Sequence, residues 1–111
     1  MSDAPYQVQN VTLVAAGADV QVREFIVAPG EEVPRHYHTA MTDWCYCLEG
    51  VVAAEIAEAG EQEPRRLVLH PGDSCRIDAG LVHRLANGGS GRCRYLLVQA
   101  GGKYDFNKVT Q

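Results

Sequence analysis

Residues 30–50 read GEEVPRHYHTAMTDWCYCLEG, and the triplet His36-Tyr37-His38 inside them sets the argument. On a β-strand alternate side chains share a face, so the two imidazoles project together with Tyr37 opposite. Histidines that face inward need a partner, because an unpaired buried polar group is costly. A shared divalent cation is one such partner, neutral imidazole being the commonest protein ligand for transition metals. An isolated pair of this kind is more often a surface accident, so its neighbours decide. If Asp43 points inward, the same alternation turns Cys45 and Cys47 inward and leaves Trp44, Tyr46 and Leu48 on the other face. Two inward thiols pack as small apolar groups beneath the site, or else serve as a thiolate ligand or a redox-sensitive thiol. The first reading is favoured, since the histidines already supply donors. Cys45 and Cys47 cannot easily bridge each other, because side chains two apart on a strand sit ~6.6 Å from one another. Cys75 and Cys93 read as core or edge residues.

The rest of the chain agrees with strands. The runs Val20–Val27 (VQVREFIV), Trp44–Leu48, Val51–Ile56 (VVAAEI), Arg66–Leu69 and Tyr95–Gln99 (YLLVQ) are cut by Pro29-Gly30, Glu49-Gly50, Pro71-Gly72 and Gly101-Gly102. Short apolar runs with regular turn signals predict an all-β sandwich or barrel. Residues 57–64 and 86–92 carry turn chemistry and are expected to be loops. The first residues and the tail after Gly102 are expected to be loose or to cover a sheet edge. At 111 residues, 46% hydrophobic and 22% charged, the chain suits one globular domain. A net charge of -4 without any cluster of Lys and Arg argues against nucleic acid and anionic membranes as partners. Met1-Ser2-Asp3-Ala4-Pro5 lacks the features of a signal peptide. No apolar run approaches the ~20 residues a membrane span needs. The expected setting is cytoplasmic, with four reduced cysteines.

A second stretch, residues 72–87, reads GDSCRIDAGLVHRLAN. Both segments run from Pro-Gly to a histidine. Together they resemble the two signature motifs of the cupin superfamily, G-x5-H-x-H-x(3–4)-E-x6-G over residues 30–50 and G-x5-P-x-G-x2-H-x3-N over residues 72–87. All spacings fit. Asp43 stands where the first motif has Glu, and Asp78 where the second has Pro.

The resemblance implies a single domain over residues 1–111: an antiparallel jelly-roll (double-stranded β-helix) barrel of six to eight strands, with a metal near one mouth. It implies His36, His38 and His83 as ligands of one divalent metal ion (Fe, Mn, Zn, Ni or Cu). Asp43, one methylene shorter than Glu, binds directly, binds through water, or leaves a three-histidine site with an open face. Gly30, Gly50, Gly72 and Gly80 match turn glycines. Asn87 matches an Asn that can hydrogen-bond a neighbouring loop backbone. The function expected is a small-molecule enzyme, a dioxygenase or an isomerase or lyase on an oxygenated substrate, with Asp43 as ligand or base. The alternative is a non-catalytic metal- or small-molecule-binding module. His70, before a turn, reads as a surface residue. Arg23, Arg76, Arg84 and Arg94 could each anchor an anionic substrate, with surface solvation the better reading of each singly. The strip Trp44, Tyr46 and Leu48 either forms a homodimer interface or is covered by the chain's own N-terminal strand.

Overall fold

The computed structural model of the chain describes residues 5–57 and 63–109. The expectation at residues 1–4 and most of the expected 57–64 loop therefore lie outside the described residues. Ten strands are present among the described residues: β1 (Asn10–Ala16), β2 (Val20–Val27), β3 (Glu32–Tyr37), β4 (Thr42–Glu49), β5 (Val52–Ala57), β6 (Arg65–Leu69), β7 (Ser74–Ile77), β8 (Val82–Asn87), β9 (Cys93–Ala100) and β10 (Asn107–Lys108). They form two five-stranded sheets, ordered β1-β2-β9-β4-β7 and β10-β3-β8-β5-β6, with every pairing antiparallel. This is the jelly-roll barrel that the motifs implied. It contains no helix long and apolar enough to cross a membrane among the described residues.

The core lies between the sheets and follows from period-two patterning. β9 buries Cys93, Tyr95, Leu97 and Gln99 and turns Arg94, Leu96 and Val98 outward. β4 buries Asp43, Cys45 and Cys47 while Tyr46 and Leu48 are exposed, as parity required. Phe25 of β2 stacks on Tyr95 of β9 with ring centroids 4.9 Å apart, a cross-strand aromatic pair at the centre of the first sheet.

One irregularity aims the site. Val33 and His36 are three residues apart, so strict alternation would send them to opposite faces. The β3–β8 register slips between them, from Val33↔Leu85 to His36↔His83. A bulge of this kind resets the parity, and both side chains end inside.

Gly30, Gly50, Gly72 and Gly80 all have positive φ. Gly50 shows why: φ is 73°, and a Cβ there would lie 2.5 Å from the Arg92 carbonyl oxygen. No side chain fits that position without backbone movement. Asn87 donates to the carbonyls of Val27 (2.9 Å) and Gly91 (2.8 Å) and accepts from the Gly89 amide (2.8 Å). It thereby ties the 88–92 turn to β2.

Two expectations need adjustment. The loop expected from residue 86 begins after Asn87, because Ala86 and Asn87 still pair with Ala53 and Val52 of β5. Both chain ends add edge strands. β1 pairs with β2, and β10 pairs with β3 at Tyr37 and His36. These two strands carry the total past the expected eight. β2 and β9 separate β1 from β4 in the sheet order, and Tyr46 and Leu48 stay exposed.

Candidate metal centre

His36 lies near the end of β3, His38 just beyond it, and His83 near the start of β8. All three side chains are buried, and one ring nitrogen of each lies within 4.8 Å of the others. The backbone orients each ring through its second nitrogen. Nδ1 of His36 is 2.6 Å from the Pro34 carbonyl oxygen, Nδ1 of His38 is 2.6 Å from that of Asp105, and Nδ1 of His83 is 2.9 Å from that of Leu81. A carbonyl only accepts, so each Nδ1 carries the proton, and the neutral ring keeps its Nε2 lone pair for the interior.

Asp43, from β4 in the facing sheet, completes the cluster. Its Oδ2 is 3.3 Å from His38 Nε2 and 3.2 Å from His83 Nε2. Its Oδ1 accepts a 3.0 Å hydrogen bond from Gln99 Nε2. With the ring protons on Nδ1, Asp43 Oδ2 and His83 Nε2 are buried acceptors with no donor between them. Two acceptors facing one another are satisfied by a shared cation or by a proton on an imidazole Nε2. Ligand atoms on one metal, each ~2.1 Å from it, sit roughly 3.0–3.4 Å apart in octahedral or tetrahedral arrangements, so the spacing around Asp43 Oδ2 suits a shared ion. The histidine group could hold a metal on geometry and donor chemistry alike.

The electrostatics agree. Burial, then the neighbouring His83, pushes His36 down to about 3, so it is neutral at any ordinary pH. Burial also opposes charge on His38, but the hydrogen bond and charge of Asp43 outweigh it and raise that imidazole above its usual value. Burial alone would raise Asp43; hydrogen bonds to His38 and His83 overcome it and hold the carboxyl below the usual carboxylate range. Asp43 is therefore ionised.

The cluster borders a cavity of about 240 Å³, open on one side, which Tyr6, Arg23, Gln99, Tyr104 and Phe106 also line. Four features of it were not foreseen. Gln99 is fully buried and accepts from Gln21 Nε2 and Arg23 Nη2, both at 2.7 Å. Arg23 is not a surface residue: it shares the inward face of β2 with Phe25, and its guanidinium lies 5.1 Å from the Phe25 ring and 5.2 Å from that of Tyr104. Phe106 stacks on His36. Asp105 supplies the carbonyl that orients His38. The alternation in VQVREFIV and YLLVQ could have revealed Arg23 and Gln99, but nothing local marks the strap at residues 103–106.

The other arginines lie outside. Arg76 pairs with Asp78, Arg84 with Glu32 and Glu55, and Arg94 with Glu24 and Glu49. His70 sits in its turn, where the Asp73 carboxylate accepts from its backbone amide at 2.9 Å. Cys45, Cys47 and Cys93 are buried, Cys75 is half-buried, and all four are free thiols. Burial pushes Cys45 well above the ordinary thiol range and Cys93 to about 11.

Comparison with known proteins matches this arrangement to a family. Over 90 residues the chain is 30% identical to a mannose-1-phosphate guanylyltransferase of Sinorhizobium fredii, covering 81% of this chain but only 16% of that enzyme. A double-stranded β-helix protein from Klebsiella pneumoniae superposes with a TM-score of 0.76 at 22% identity, covering all of this chain and 90% of that one. Lactobacillus farciminis oxalate decarboxylase, in a formate complex, superposes with the same score at 17% identity, over 89% of this chain and 30% of that one. The cupin-domain family itself matches residues 23–99, a span that holds both motifs and every proposed ligand. The chain belongs to the cupin family.

Proposed function

We propose that this cupin is an enzyme acting on a small oxygenated molecule at one divalent metal held by His36, His38 and His83, with Asp43 as the fourth ligand. One observation carries the reading. Three backbone carbonyls fix the Nδ1 protons, so three Nε2 lone pairs and an ionised carboxylate converge in a site that opens to solvent. A bound metal would supply Lewis acidity, hydroxide near neutral pH or, as iron, reactivity towards O₂. The residues do the rest: the strap of Tyr104 and Phe106 narrows access to water, and Gln99 holds the Asp43 carboxylate in place. Fe, Mn, Zn, Ni and Cu all suit imidazole donors.

Dioxygenation and isomerase or lyase chemistry on an oxygenated acid are the two reaction classes. Lyase chemistry draws support from the oxalate decarboxylase among the structural relatives. The test is reconstitution with each metal in turn, followed by oxygen uptake and product analysis over a panel of small hydroxy, oxo and dicarboxylic acids. Turnover that is lost in His36→Ala and His83→Ala supports the enzyme. Ligand binding that survives chelation, with no turnover at any metal, contradicts it.

A non-catalytic binding module is the second reading. It is favoured by the fact that Asp43 is the one carboxylate lining the cavity among the described residues and is already engaged on both oxygens. The proposal also includes a homodimer packed through Trp44, Tyr46 and Leu48, supported by the exposure of Tyr46 (42%) and Leu48 (39%) on a sheet face that β1 leaves open. Sedimentation of Leu48→Lys beside the native chain tests it. Four unbridged thiols suit a reducing compartment such as the cytoplasm.

A further inference from the structure

The same cavity carries a second chemical signal beside the histidine cluster, at Arg23 and Tyr95. Arg23 points inward, yet among the described residues no carboxylate lies within ion-pair distance of it; its polar contacts are Gln99 Oε1 at 2.7 Å, the Tyr6 hydroxyl at 3.4 Å and the Tyr104 hydroxyl. Its Nε–H is buried with no acceptor. The hydroxyl of Tyr95, a residue with no solvent exposure, also lacks a partner, and both residues line the same cavity. The outward arginines Arg76, Arg84 and Arg94 all have carboxylate partners, which sets Arg23 apart from them. Buried donors without acceptors are costly, and a cation partly out of water needs an anion.

We infer that Arg23 and Tyr95 form the anion-binding wall of the cavity, and that the ligand is a small carboxylate carrying a second oxygen. The second oxygen follows from placement. Gln99 touches Arg23 through Oε1, and through Nε2 lies 3.0 Å from Asp43 and 3.4 Å from His38. The guanidinium is thus one amide group away from the proposed metal ligands. A molecule with its carboxylate on Arg23 presents its next polar group to the histidine cluster. The cavity is small, with about 240 Å³ of empty space when its open side is counted in, which favours a small ligand. The inference deepens the function proposed above and rests on that reading for the second oxygen, whereas the Arg23 wall stands on its own contacts.

Malonate, with its neutral isostere malonamide as control, separates the two. Each is titrated into zinc-loaded and metal-free protein while the Arg23 Nε–H and Gln99 side-chain amide resonances are followed by NMR. Malonate is expected to shift both signals saturably and malonamide to leave them in place. The dissociation constant for malonate is expected to rise about ten-fold or more in Arg23→Gln and to rise also in the near-isosteric Tyr95→Phe, which covers the case that Arg23→Gln fails to fold. Equal binding of malonate and malonamide, equal malonate affinity in native and Arg23→Gln protein, or no malonate binding with or without zinc would each overturn the inference. Should zinc fail to bind while metal-free protein still takes up malonate through Arg23, the anion wall stands and the metal reading falls.

Discussion

Phe106 lies almost flat on His36, with ring centroids 4.2 Å apart and planes 15° from parallel. The contact joins the C-terminal strap to the ligand cluster, and the next residue, Asn107, starts the strand that pairs with β3 beside it. Phe106→Ala removes the stacking partner of a buried imidazole and opens one side of the cavity. It is expected to lower unfolding stability by about 2 kcal/mol, below the cost of truncating a fully buried Phe because Phe106 is only half-buried. Denaturant unfolding gives that number, and metal release to a chelator should be faster in the variant. An unchanged release rate would show that the strap plays no part in retaining the ion.

Asp43→Asn keeps the shape of the side chain and removes its charge. Metal affinity is expected to fall by roughly ten- to a hundred-fold, because the carboxylate oxygen facing two ligand nitrogens is replaced by a neutral group. Competition with a chromophoric chelator reads the change directly. Equal affinity in native and variant protein would return Asp43 to a bystander role and leave a three-histidine site.

The metal-free protein should lose stability on acidification. His36 titrates near 3 in the folded chain, chiefly because of burial, against 6.5 when unfolded. Between those values the unfolded state binds the extra proton, so stability falls as pH drops, by up to about 1.4 kcal/mol per pH unit. His38 acts in the opposite direction: its value is raised, so its contribution is full below 6.5 and is lost as pH climbs through the raised value. Asp43, held below its ordinary 3.8, contributes to acid loss only below that range. Urea unfolding of metal-free protein between pH 6.5 and 4 should therefore show a slope that flattens in His36→Gln. A slope unaffected by that substitution would mean the acid sensitivity lies elsewhere.

The thiols should be quiet in the folded protein. Burial raises Cys45, Cys47, Cys75 and Cys93 alike, which lowers the thiolate fraction available for attack. Cys75, half-buried on the edge strand β7, is expected to react first with a disulfide reagent, the other three only on unfolding. Prompt modification of Cys45 in native protein would favour a reactive thiol under the metal site over simple packing.

Much of this was legible in the sequence because the deciding features are local. Period-two alternation places Asp43, Cys45 and Cys47 inside from their own segment. The fixed spacings around His36, His38 and His83, with glycines at the turns, carry the barrel and the ligand set together. Other features are long-range and left little local trace. The bulge between Val33 and His36 shows only in the pairing of β3 with β8. The strap works through residues about 70 positions from the histidines they touch, as with the Asp105 carbonyl on His38. Arg23 and Gln99 sit on the inward face of their strands by the same parity that buried Phe25 and Tyr95. Their polarity masked that placement, because inward polar residues make sense only once the cavity they line is known.

The claim that most of the account depends on is one divalent metal per chain at the histidine cluster. Elemental analysis of protein purified without affinity tag or chelator, alongside His36→Ala and His83→Ala, tests it most directly. The account predicts close to one metal per native chain and its loss from both variants. Native protein that holds none, even after reconstitution, would contradict it and leave a cupin barrel whose histidines only line a binding cavity.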